Sequence, residues 1–141
     1  KGTPVINCHI QEGADLSAPM VEKSFSEAEA FFTALFPEVR FRAFLCCSWL
    51  LYPPMLERLP DRSRIKQFAK RFRIIGSCDD AEQAMENLFE GRRAIDSLPE
   101  NASSLQVLAK EHPEAFGFGC GVADFQHSSP DIRQEAGDGL I

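Results

Sequence analysis

Apolar residues recur along this chain in two rhythms, and the switches between them mark its elements. Residues 5–10, VINCHI, alternate with period two and read as a strand. A loop carrying Gly13 and Pro19 follows, and Ser24 with Glu27 three residues later has the spacing of a capping box. A helix is expected from there, with Ala28, Phe31, Phe32, Leu35 and Phe36 as its apolar stripe and Pro37 as its stop. Residues 41–51 then form a continuous apolar run, as in a central strand buried on both faces. Pro53 and Pro54 start a short helix that Pro60 closes.

Ser63 caps the next helix, in which Ile65, Phe68, Ala69 and Phe72 fall on one side. Residues 72–76, FRIIG, read as a short strand entering a turn at 77–80. Helical spacing of Ala81, Ala84, Met85, Leu88 and Phe89 favours a helix over residues 81–91. Ser103 and Gln106 form a second capping box, opening a helix that runs to His112. In residues 115–124, AFGFGCGVAD, alternation puts Phe116, Phe118, Cys120 and Val122 on one face of a last strand. Gly117, Gly119 and Gly121 leave the other face bare, open to a helix or a flat ligand. This order of elements implies an α/β sheet with helices packed against it, over residues 1–124. Residues 125–141, rich in Gly, Ser and Asp, read as a polar tail.

A chain of 141 residues suits a single domain, and 44% hydrophobic residues with twelve phenylalanines supply its core. The sequence has no run of membrane-spanning length and no signal peptide, which points to the cytoplasm. It begins at Lys1 without a methionine, so an upstream segment is expected. A net charge of −6 weighs against nucleic-acid binding. Against that balance, residues 62–73, RSRIKQFAKRFR, hold six of the fifteen cations and no acid. They form either a solvated helix face or a site for a phosphorylated ligand or acidic partner.

The five cysteines have no C-x-x-C spacing, so no metal site is expected, and their odd number fits reduced thiols. Cys46 and Cys47 sit in the most apolar part of the chain and point to opposite faces of their strand. A nucleophilic cysteine needs a base such as His9, so burial is the expected role, with Trp49 anchoring the core against the Ser63 helix. Ser48 lacks the G-x-S-x-G context of a nucleophile elbow, and His112 suits a helix C-terminus. His127 falls in the tail. The loop 91–104, GRRAIDSLPENASS, carries Arg92, Arg93 and Asn101 into the helix start at Ser103 and Ser104. Free N–H groups and the helix dipole make such a start an anion site.

The blocks FLCCSWLLYP (44–53), SRIKQFAKRF (63–72) and LPENASSLQ (98–106), followed by a glycine-studded strand, resemble the C-terminal GNAT-like domain of bacterial acyltransferase-like proteins. The likeness covers residues 5–123, and SWLL is its most specific piece. It implies a GNAT-like mixed sheet flanked by helices and a separate N-terminal domain. It also implies acyl transfer from acyl-CoA to an amine of a small molecule or peptide, the acyl-CoA sitting in a splay between strands. A noncatalytic ligand- or protein-binding domain is the alternative. The resemblance further turns residues 84–90 into a strand ahead of a phosphate-binding loop. That loop would use Arg92, Arg93, Asn101, Ser103 and Ser104, although the GNAT phosphate signature, Arg/Gln-x-x-Gly-x-Gly/Ala, is absent from it.

Overall fold

The computed structural model describes residues 2–89 and 102–125. Four strands make one mixed sheet in the order β1-β2-β4-β3, where β1 is Val5–Cys8, β2 Ala43–Ser48, β3 Arg73–Cys78 and β4 Phe118–Asp124. β1 and β2 are parallel and joined by the long helix α1 (Ala18–Leu35). β4 is antiparallel to both of its neighbours. The short helices α2 (Pro53–Arg58), α3 (Arg64–Ala69), α4 (Glu82–Leu88) and α5 (Ser104–Glu111) complete the described part. The architecture is the expected α/β mixed sheet with helices against it.

α1 has its cap at Ser17, seven residues before the expected Ser24. Pro19 lies in its first turn, where a missing N–H breaks no helical bond, so the proline starts the helix instead of blocking it. Val21, Phe25, Ala28 and Phe32 pack into the core, and Phe25 stacks on Phe44 of β2 with ring centroids 4.4 Å apart. Phe31 and Leu35, expected in the buried stripe, are exposed.

The apolar run 41–51 is not one strand. After Ser48 the backbone turns into a 3-10 helix, Trp49–Leu51, because the Ser48 hydroxyl accepts the Leu50 N–H at 3.1 Å. Local capture of the backbone by serine thus overrides the strand propensity of the run. α4 settles residues 81–89 in favour of helical periodicity. The strand implied for 84–90 is overturned at residues 84–88, where Asp80 Oδ1 accepts the Glu82 N–H at 3.0 Å and the helix follows. β3 continues through Ser77 and Cys78, beyond its expected turn, and takes up a bulge between Ile74 and Gly76. β4 starts later than expected, after a 3-10 turn, Pro113–Ala115.

The glycine face of β4 is not bare. A Cβ on Gly119 would stand 2.6 Å from the Leu51 carbonyl carbon, and one on Gly117 would meet the Tyr52 ring at 2.6 Å. The Trp49–Leu51 turn and its neighbour therefore press directly on the strand, and the space is filled by the chain itself. Two cores result. One lies between the sheet and α1 and α3, around Phe44, Cys46, Leu51, Phe68 and Phe72. The other gathers Trp49, Tyr52, Met55, Ala84, Phe89 and Phe116 beyond the end of β2, with Ile65 of α3 packed against it as expected for Trp49.

Candidate functional site

The parallel pair comes apart at its carboxyl end. Register between β1 and β2 stops at Cys8↔Cys46, whereas β2 continues to Ser48 with β4 as its partner. Beyond Cys46 the chain after β1 leaves the sheet, and a cavity of about 290 Å³ opens between His9, Ile10, Cys47, Ser48 and Trp49. In open α/β sheets the carboxyl ends of parallel strands are where ligands bind, because the loops there diverge.

The loop from β1 to α1 forms one wall. Ala14 N–H donates to the Gln11 carbonyl at 3.1 Å, closing a turn that needs Gly13 in the left-handed region, φ 74°. Ser17 N–H donates to Asp15 Oδ1 at 2.8 Å, so the start of α1 already holds an anion. That bond, with Arg64 nearby, keeps the Asp15 carboxyl below its usual range. A second cavity of about 230 Å³ shares His9, Gln11 and Ala14 and lies on the loop's other side.

The opposite wall comes from α4 and α5. Gln83 Oε1 accepts the Trp49 backbone N–H at 2.9 Å and fixes the turn after β2. Leu88 and Leu105 both line the cavity, and Gln106 Nε2 donates to the Leu88 carbonyl at 2.8 Å, tying the two helices together. Ser103 caps α5 as expected: its hydroxyl accepts from Gln106 N–H at 3.2 Å, while its own N–H donates to Gln106 Oε1 at 2.9 Å. Among the described residues the amides of Ser104 and Leu105, next along the helix, have no partner. Arg92, Arg93 and Asn101 lie outside the described residues, in the segment between Leu88 and Leu105.

The cysteines do not form a nucleophilic centre. Cys47 is bonded to Cys120, directly opposite on β4, which corrects the expectation of reduced thiols throughout. Sequence could not show it, since the pairing depends on the β2–β4 register. Cys46 is fully buried, as expected. Its thiol donates toward Cys8, its neighbour on β1, and this bond together with burial pushes its pKa upward, while accepting the same bond lowers that of Cys8. Ser48 Oγ is buried and engaged with Leu50. Among the named lining side chains His9 and Glu12 remain as the acid–base groups, and His9 Nε2 sits 3.1 Å from Asn7 Nδ2. No group of three or more metal-binding side chains occurs among the described residues.

Three of the six cations in the basic stretch are paired with carboxylates. Lys66 Nζ lies 3.2 Å from Asp61, Arg71 lies 3.3 Å from Glu22 and Arg64 lies 3.8 Å from Asp15. The residues that reasoning from sequence missed are Gln11, Gly13 and Gln83. The available signal for the first two was a glycine loop between a period-two strand and a helix.

The chain belongs to the family described as GNAT-like C-terminal domain, whose profile matches residues 1–122. It is similar to the crystal structure of an acyltransferase in complex with decanoyl-CoA, with a TM-score of 0.76 and 29% identity. A structure of an acyltransferase with decanoyl-CoA and teicoplanin gives a TM-score of 0.75 and 28% identity. These alignments cover 88% and 87% of this chain but 41% of the solved chains, so the chain spans about two fifths of their length. No curated protein matches the sequence.

Proposed function

We propose that this domain binds acyl-CoA at the carboxyl ends of β1 and β2 and serves transfer of the acyl group to an amine-bearing acceptor. The observation that carries the reading is the cavity where the parallel strands part, in a fold shared with acyltransferases crystallised with acyl-CoA. In such a transfer the acceptor's nitrogen lone pair attacks the thioester carbonyl. The carbon–sulfur bond then breaks, CoA leaves as the thiolate, and the amine's proton passes to a base. His9, which borders both cavities, is the side chain we assign to that base. The teicoplanin complex of the relative favours a small-molecule acceptor.

The polyphosphate end needs cations. Asp15 already occupies the start of α1, so we assign the phosphates to the other wall, at Ser103 and Ser104, which Arg92, Arg93 and Asn101 precede in the sequence. A cavity of about 310 Å³ near the opposite end of the sheet sets Glu22, Glu29 and Asp124 against a single cation, Arg71, a balance that disfavours that ligand. One observation favours the noncatalytic reading: in the described part His9 bonds only to Asn7, with no carboxylate partner to orient its ring.

Calorimetric titration of the full-length protein with decanoyl-CoA tests the proposal. Losing one charge-assisted bond of about 1.5–3 kcal/mol weakens binding roughly tenfold or more, the result expected for Arg92→Ala with Arg93→Ala. Arg64→Ala, Lys66→Ala and Lys70→Ala together form the matched control and should leave affinity unchanged. Loss in that control alone would move the phosphates to α3. Absence of binding by the wild type would overturn the acyl-CoA reading.

A further inference from the structure

The apolar side of α1 extends beyond the residues that pack into the core. Val21 is buried and Phe25, Ala28 and Phe32 pack against that core, yet the last turns add Phe31, 59% exposed, Leu35, 56% exposed, and Phe36, 38% exposed. These side chains are not scattered. Phe32 meets Phe31 edge-on with centroids 5.3 Å apart, and it also contacts Phe36 at 6.3 Å and Phe41 at 5.9 Å. Phe36 and Phe41 close the group at 6.4 Å. Residues 30–41 contain Glu38 and Arg40 as their only charges, in a chain that is 26% charged overall. A contiguous apolar patch of this kind marks an interface, because leaving it in water is costly and nothing in the described domain uses it.

The path of the chain identifies the occupant. The Arg42 N–H, one residue after Phe41, donates to the Pro4 carbonyl at 3.1 Å, and Val5 is in register with Ala43. Polypeptide joined ahead of residue 1 would therefore emerge beside the patch. The family is defined as a C-terminal domain, and its solved relatives are more than twice this length. We infer that the Phe31, Leu35 and Phe36 patch docks an apolar face of the region preceding this domain in the same polypeptide. Tethering within a few residues of the patch makes that region its most concentrated neighbour.

Hydroxyl-radical footprinting of the full-length protein tests this without reference to acyl-CoA. Ile75, 55% exposed on the edge strand β3, is the internal standard. After correction for intrinsic reactivity, Leu35 should be labelled about threefold less than Ile75, since residues in the core of an interface lose most of their accessibility. Phe31→Asp with Phe36→Asp should restore Leu35 labelling and leave Ile75 unchanged; both positions are exposed, so the domain keeps its own core. Protection that persists on dilution supports docking within one chain. Equal labelling of Leu35 and Ile75 in the wild type overturns the proposal. So does protection lost on dilution, which would make a second copy the occupant.

Discussion

The two ends of β2 are built by different physics. At the amino end, Phe44 stacks on Phe25 at 4.4 Å and meets the tilted ring of Phe125 at 4.9 Å, so aromatic contact and burial hold it. At the carboxyl end the chain is held by polar devices and close backbone approach. Ser48 captures the Leu50 N–H, Gln83 captures that of Trp49, and Gly119 lets the Leu51 backbone press onto β4. Each end borders a cavity, about 310 Å³ beside the rings and about 290 Å³ beside the turns, but only the second opens where the parallel strands part.

The largest expected effect sharpens the amino end. Phe44 is buried, and Phe44→Ala would empty a position contacted by two rings, so it should cost about 3–5 kcal/mol in denaturant unfolding. Affinity of the folded fraction for decanoyl-CoA should not change, because the residue borders the acidic cavity and not the proposed site. A variant that kept its stability and lost the ligand would reverse the assignment of roles to the two ends.

Gly119→Ala comes next and probes the carboxyl end. The added methyl group has to displace backbone, not a side-chain tip, at a cost of about 1–3 kcal/mol by overpacking. The shift falls on the turn Trp49–Leu51, whose first two residues line the cavity, so ligand affinity should fall along with stability. An equal stability loss with intact affinity would show that the turn carries the fold alone.

The same contrast explains what could be read from sequence. α2, α3 and α5 were legible because their boundaries are written locally, in prolines and in Ser63 and Ser103 as caps. Burial of Cys46 followed from the apolar run around it. The start of α1 was not legible, since Pro19 is equally at home in a loop and in a first helical turn. Periodicity gave α4 correctly, and the family likeness displaced it with a strand. The Cys47–Cys120 bond and the cavity itself depend on register between distant segments, which no local pattern encodes. Phe31 and Leu35 fit a buried stripe by spacing, and they stay exposed because the last turns of α1 run on past the residues that pack into the core.

The smallest effect concerns the loop that separates the two cavities at the carboxyl end of β1. Asp15 accepts the Ser17 N–H at the start of α1, where a negative charge also meets the positive end of the helix dipole. Its carboxyl is held below its ordinary value of 3.8, first by the Ser17 bonds and then by Arg64. A folded pKa below the unfolded one means that this carboxylate stabilises the protein above the unfolded value. The contribution fades as pH falls through the folded value. Asp15→Asn keeps an oxygen acceptor for Ser17 and removes only the charge. The melting temperature of wild type should therefore exceed that of the variant near neutrality, with the gap closing as pH falls below about 4. A gap that stays constant through that range would show that Asp15 acts as a hydrogen-bond acceptor alone, and that the electrostatics of the α1 start do not help to hold the loop.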